Sequence, residues 1–184
     1  MNLFFRALWV VCTAWRRRHV GFQERAELGL ITFPNDLDIN LHVNNGRYLS
    51  LLDLGRVDLM QRSGLWRHFF RRRWMPVVAG VMVRFRRSLK VFQRFTLTTR
   101  MLGWDERFFY MEQQIVTDKG IAMMAYVRGC FVAPGGPLPT AVVLDAIGQS
   151  GPSPELPEAI RHWAASEVAM AGQDTAGPID AIDS

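Results

Sequence analysis

The hydrophobic pattern of this chain changes period several times, and each change marks an element. Residues 22–33 alternate imperfectly between apolar and polar side chains, as a half-buried strand does, and Pro34-Asn35 ends the run. A stretch rich in hydrogen-bonding groups follows, DLDINLHVNN at 36–45. The period then lengthens. Tyr48, Leu52, Gly55 and Leu59 recur at i, i+4, i+7 and i+11, which is one buried helix face, and Leu49 and Met60 widen it. Arg47, Ser50, Asp58 and Arg62 fall on the other side. Asn44 or Asn45 is the expected N-cap, because its side-chain oxygen accepts an otherwise unpaired backbone N–H. Gly55 costs about 1 kcal/mol of helix propensity relative to alanine. Inside an apolar arc it is expected to admit another backbone at close range. Ser63-Gly64 ends the helix.

A basic-aromatic segment, LWRHFFRRRW, separates this helix from four strand-like runs at 77–89, 92–102, 108–117 and 121–132. Turns at 103–106 and 118–120 punctuate them, and PGGP at 134–137 closes the series. The pattern predicts an antiparallel meander whose apolar face needs a cover, and the single long helix is the only candidate. Two weaker helical stretches, 141–147 and 157–170, flank GQSGPSPELP, and the small, acidic residues from 172 to 184 are expected to be disordered. The expected class is α+β, one long central helix wrapped by a five-stranded antiparallel sheet with extra helices at both ends. The expected organisation is an apolar and basic helix over 1–20, a domain over 21–134, a helical appendage over 135–171 and the tail over 172–184.

Charge sharpens this division. The net charge of +5 hides an asymmetry, +11 over residues 1–134 and −6 over 135–184. A basic domain suits nucleic acid, an anionic membrane or a polyphosphate such as coenzyme A. No nucleic-acid-binding motif accompanies the charge, so no nucleic-acid partner is expected. Cys12 and Cys130 lie far apart and form no metal or redox motif, which fits free thiols in a reducing compartment. The N-terminal run from Ala7 to Trp15 is far short of the about 20 apolar residues that span a bilayer, and it has no small-residue cleavage site. Two readings stand side by side. Phe4, Phe5, Leu8, Trp9, Val11 and Trp15 enter a membrane interface with Arg16, Arg17 and Arg18 on its phosphates, or the helix packs on its own domain or a partner.

The segment before the long helix carries the chemistry. Asp36-Leu37-Asp38, His42-Val43-Asn44-Asn45, Tyr48 and Arg56 together resemble the D-x-D-x-x-G-H-x-N-N-x-x-Y signature of hydroxybenzoyl-CoA-type acyl-CoA thioesterases, which have the hot-dog fold. DLDINLHVNNGRYL, RRSL and LLD…LGWDERFFY are most similar to the branch named thioesterase superfamily member six. The similarity covers residues 22–132 and, weakly, PELPEAIRHW beyond. It departs at Leu41, where the family usually has the glycine that permits an unusual backbone angle.

The resemblance implies that Asp38 is the catalytic carboxylate, either nucleophile or general base, and places His42 and Asn45 with it. It puts Val43, Asn44 and Tyr48 on the substrate side, and Arg84, Arg86 and Arg87 near a subunit interface where they meet coenzyme A phosphates. Elementary chemistry agrees in part. A helix N-terminus presents unpaired N–H groups and partial positive charge, which stabilise the oxyanion of a thioester under attack. Each residue also has a plainer reading. Asp36 and Asp38 suit a turn, His42 a loop hydrogen bond, Asn44 and Asn45 capping and Tyr48 the core. Asp53 and Arg56 read as an i,i+3 ion pair, and the arginines as a solvated strand edge that discourages aggregation. No metal or cofactor is expected. The expected activity is hydrolysis of acyl-CoA or acyl-carrier thioesters by a cytoplasmic homodimer or dimer of dimers, peripheral on the inner face of an anionic membrane if its first helix is interfacial. The alternative is a membrane-associated acyl- or lipid-binding hot-dog protein with little activity.

Overall fold

The computed structural model describes residues 3–174, with side chains as far as residue 170. Along the chain run α1 (Leu3–Thr13), β1 (Ala26–Ile31), α2 (Asn45–Arg62), α3 (Leu65–Arg72), β2 (Met75–Phe85), β3 (Arg94–Trp104), β4 (Phe109–Thr117), β5 (Gly120–Ala133), β6 (Gly136–Leu138), α4 (Thr140–Ala146) and α5 (Glu158–Asp174). The chain divides into two compact units, Met1–Pro154 and Glu155–Ser184. The described part of the second is α5 and the few residues before it, with Arg161 bonded to Glu155 at 2.9 Å and the Trp163 indole donating to Glu167 at 2.9 Å. The tail expected to be disordered lies, from residue 175 on, outside the described residues.

In the first unit five strands form one antiparallel path, β1-β3-β4-β5-β2, and β6 folds back on the end of β5. Strands β3, β4 and β5 make the expected meander. Strand β2 departs from it. It pairs with β5, Met75 opposite Val132 and Phe85 opposite Met123, while β3 takes β1 on its other side, Ala26 opposite Thr99. The cause lies in the connector between β2 and β3. Leu89 within it is fully buried, its N–H donates to the Tyr48 hydroxyl at 3.0 Å and its carbonyl accepts from Val43 N–H at 3.1 Å. The connector is thus anchored across the start of α2, and a tight β2–β3 hairpin is not formed.

The sheet wraps α2. Tyr48, Leu51, Leu52 and Leu54 are buried against Leu28, Phe95, Leu97, Ile115 and Met123 from four strands. A second cluster closes the far end of the helix, with Leu65 and Phe69 of α3, Trp104, Phe109 and Val143 of α4. Gly55 sits where α2 comes nearest the sheet. A Cβ there would lie 2.5 Å from Thr99 Oγ1, 2.8 Å from Leu97 Cδ2 and 2.9 Å from Gln113 Nε2. The close neighbours are therefore side chains of β3 and β4, not the backbone anticipated above. Gln113 fills the space, donating to Leu52 O and to Thr99 Oγ1, both at 2.9 Å, and accepting from Arg56 at 2.7 Å.

Asp58 corrects the helical-face assignment. It is fully buried, because α1 and the turn after it cover that side of α2. Arg17 and Arg62 pair with it at 2.8 and 2.9 Å. Helix α1 is pinned by Val10 in the core and by Arg6, which is 2% exposed and bonds Asp36 at 2.6 Å. Its outward residues Phe4, Phe5, Leu8 and Trp9 remain exposed. Among the described residues no helix is long and apolar enough to cross a membrane.

Gly55→Ala is expected to lower unfolding free energy by about 1–3 kcal/mol, the usual cost of overpacking, despite alanine's better helix propensity. Urea titration followed by circular dichroism measures it.

Candidate active site at the start of the central helix

The polar decapeptide folds into a short hairpin. Leu37 and Val43 pair as an isolated antiparallel bridge, and Asp38 N–H donates to His42 O at 2.8 Å. At its tip Leu41 N–H closes a turn onto Asp38 O at 3.0 Å, and Leu41 has φ +58°. This is the left-handed region that glycine occupies freely and that costs other L-residues roughly 1–2 kcal/mol. Leucine therefore keeps the backbone path that glycine offers. Asp38, half-buried, holds the base of the hairpin. Its Oδ1 accepts Asn40 N–H at 2.8 Å and His42 N–H at 3.4 Å. His42 and Asn45 are exposed, as are Ile39 (97%) and Leu41 (73%).

The helix start is unevenly satisfied. Asn44 is the N-cap and accepts from Gly46 N–H at 2.9 Å. Of the backbone N–H groups at the helix entry, Val43 donates to Leu89 O at 3.1 Å and Asn44 to Asp36 O at 2.9 Å. Asn45, the first residue of α2, has no intrahelical acceptor for its N–H, which lies at the positive end of the helix dipole.

Two residues brace this arrangement. Asp36 is 2% exposed, accepts from Phe33 N–H at 2.8 Å and pairs with Arg6 and, at 3.3 Å, with Arg47. Arg47 also donates to Asn35 O at 3.1 Å. Tyr48 is 2% exposed, and its hydroxyl lies between Leu89 N–H and Arg87 O, the latter at 3.5 Å. Burial raises the pKa of this phenol, opposed by the bond from Leu89 N–H. Tyr48 thus meets the β2–β3 connector, in which Arg86 and Arg87 are exposed; the Arg87 guanidinium donates to Ile121 O in β5 at 3.3 Å. Arg84 lies at the end of β2, opposite Met124. Asp53 and Arg56 form the expected i,i+3 pair. Burial lowers the Arg56 pKa, and the Asp53 carboxylate opposes that shift.

Sequence reasoning overlooked Arg6, Arg47 and Leu89. Their partners are 30, 11 and 41 residues away in the chain, so no local spacing announces them. Among the described residues no cluster of His, Cys, Asp and Glu is suited to a metal.

A family model described as the thioesterase-like superfamily matches residues 33–164, well over half of the chain and including the whole hairpin and α2. The chain belongs to the thioesterase-like superfamily. Its curated relatives within that superfamily include Protein THEM6 of Xenopus laevis, 37% identical over 72% of this chain and 64% of the frog protein. Protein THEM6 of Danio rerio is 31% identical over 87% of this chain and 79% of the fish protein. Among solved structures, DHNA-CoA thioesterase from Staphylococcus aureus superposes with a TM-score of 0.59 over 82% of this chain and 95% of its own, at 14% identity. The shared architecture is the hot-dog fold implied by the signature. The chain spans just under two thirds of the frog relative's length. Helix α1 and β1 precede the superfamily match, so Arg6, which anchors Asp36, comes from outside it.

Tyr48→Phe leaves the buried Leu89 N–H without its acceptor. Stability is expected to fall by about 1–3 kcal/mol, and amide hydrogen exchange of residues 86–93 to quicken more than that of β3–β5.

Proposed function

We propose that this protein hydrolyses acyl thioesters at the hairpin that precedes α2. The observation that carries the reading is a half-buried carboxylate, Asp38, in a tight turn whose other arm runs directly into a helix start, where the Asn45 N–H has no intrahelical acceptor. The thioester carbonyl would accept from Asn45 N–H, where the helix dipole stabilises the developing oxyanion. Asp38 then either attacks the carbonyl carbon, releasing thiolate and forming a mixed anhydride that water cleaves, or takes a proton from the water that attacks. Both routes consume one water and yield a carboxylic acid and a thiol. His42, across the hairpin from Asp38, is within the same constellation. Tyr48 positions the connector and does not touch the reacting atoms.

The acyl group is apolar in this reading. A cavity of about 290 Å³ lies farther along α2, toward α3, with Val57, Met60, Leu65, Met101, Met111 and Phe131 among its lining residues, and it begins about 12 Å down the helix from Asn45. That volume is at the small end of ligand pockets, which suits a short or medium acyl chain. Asp53 and Arg56 are its ionic lining. Coenzyme A is the favoured carrier, its phosphates meeting Arg84, Arg86 and Arg87. The name of the staphylococcal structural neighbour also speaks of a CoA thioester.

Strand β2 argues for a dimer. It is a sheet edge of 11 residues with Met75, Val77, Val78 and Phe85 all at least 40% exposed. A long apolar edge is an aggregation site unless another strand covers it. A second copy related by a two-fold axis would do so. The alternative, a binding protein with little activity, draws on two features, the apolar N-terminal helix and the replacement of the family's glycine by Leu41. Since Leu41 holds the left-handed conformation that glycine would, the second of these weakens.

Release of free thiol from acyl-CoAs of 2 to 16 carbons tests the hydrolysis. Asp38→Asn keeps an oxygen for Asn40 N–H, so the turn survives. Its turnover is expected to fall about 10²–10⁴-fold, the usual worth of a positioned acid or base. Wild-type silence across the panel, or an unimpaired variant, overturns the assignment. Val78→Asp, which places like charges on both edges, is expected to shift a dimer to monomer in light scattering.

A further inference from the structure

Helix α1 has two faces with different fates. Arg6 and Val10 point inward and are fully engaged. Arg6 also donates to Ile31 O at 3.2 Å and lies over the Phe33 ring at 4.7 Å. Arg17, just beyond the helix, bonds both Val10 O at 2.8 Å and Asp58. The helix is therefore a fixed part of the domain. At 100° per residue Phe4, Phe5, Leu8, Trp9 and Cys12 share the opposite face. They are left largely open: Phe4 is 67% exposed and Phe5 57%, Leu8, Trp9 and Cys12 are exposed as well, with Arg17 over one side of the Trp9 ring at 5.8 Å, and Trp15 follows at 75%. This outward face has no polar side chain among those five. A contiguous aromatic patch of this kind on a soluble surface marks a contact site.

Charge decides what it contacts. No acidic residue precedes Glu24; Arg16 and Arg18 are exposed at the end of the patch, and Arg18 pairs with Glu24. The Arg16 guanidinium stacks 4.9 Å from the Trp15 ring. On its other flank, Trp9 borders an open groove of about 1210 Å³ between α1 and the β3–β4 end of the sheet. Lys90, Arg94 and Lys119 line that groove, with Asp118 as its one acid. Arg6 lines it too, and its Nε and Nη1 are buried without an acceptor. Aromatic side chains set between cations are the chemistry of a lipid interface, where rings sit at headgroup depth and cations meet phosphates.

We propose that the outward face of α1, with Arg16, Arg18 and the Lys90–Arg94–Lys119 groove beside it, docks on an anionic lipid surface. The helix lies in the plane of the headgroups and does not insert across them. A protein partner would need acids to match these cations, and a second copy would bring cations toward cations. Because α1 is fixed to α2, the docked domain is held in one orientation. Apolar burial supplies most of the attraction, and the cations select anionic lipid.

The test uses the full chain and sedimentation with vesicles of phosphatidylcholine alone or with one quarter phosphatidylserine. Wild type is expected to pellet with the anionic vesicles, at least tenfold more than with neutral ones, and to be released as salt rises. The double variant Phe5→Asp, Leu8→Asp is expected to lose at least tenfold in partition while keeping its melting temperature, since both side chains are exposed. Lys90→Ala, Arg94→Ala, Lys119→Ala is expected to weaken anionic binding alone. Three results overturn the proposal. They are wild type left wholly in the supernatant, the aspartate variant pelleting as wild type does, and light scattering in which Leu8→Asp splits an oligomer, which would mean that a second copy covers the face. None of these readouts depends on thioester hydrolysis.

Discussion

One phenolic oxygen joins the two halves of this domain's logic. The chain must carry β2 to one edge of the sheet and then bring β3 back beside β1, and the connector crosses the start of α2 on the way. A buried crossing exposes backbone donors that water cannot reach, and each needs a partner. Tyr48 supplies it for Leu89 N–H, and Leu89 O returns the service to Val43 N–H. The same exchange occupies the Val43 donor, so the topology of the sheet reaches into the entry of the helix.

A second constraint is the burial of charge around α2. Asp36 and Asp58 are both within 2% of full burial, and a lone carboxylate there would be prohibitive. Each is met by two arginines, Asp36 by Arg6 and Arg47, Asp58 by Arg17 and Arg62. In both cases one arginine comes from α2 itself and the other from the N-terminal segment. These pairs fasten that segment to the domain in two places. They contribute positional definition more surely than net stability, because desolvation offsets much of the Coulomb attraction. Asp36 is thereby fully engaged in ion pairs, and its near neighbour Asp38 is the more accessible acid of the D-x-D pair.

Much of this was legible in the residue pattern. The 3.6-residue rhythm from Tyr48 to Leu59, the Asn44 cap and the alternation of β3–β5 are local signals, and they gave the helix and most strands to within a few residues. The hairpin motif likewise lies in one stretch. What stayed hidden is non-local. The move of β2 to the far edge depends on Leu89 meeting Tyr48, 41 residues away. Asp58 looked like a solvent-facing acid because helical periodicity counts only its own helix, and the arginine from the N-terminal segment that buries it is 41 residues distant. The short helix α3 was missed although Leu65, Trp66, Phe69 and Phe70 recur at helical spacing opposite Arg67, His68, Arg71 and Arg72, because eight residues give only two turns of that period.

Gly55 and Tyr48 together have a mechanical meaning. They are seven residues apart, about 10 Å along the axis at 1.5 Å per residue. At Gly55 the rod rests on the sheet with the clearance of a single hydrogen, and at Tyr48 it is tied to the loop above it. A rod held at two points can neither slide nor pivot. Asn45 lies only three residues beyond the second hold, an overhang of under one turn, so its N–H is aimed by the frame of the whole sheet and not by the hairpin alone.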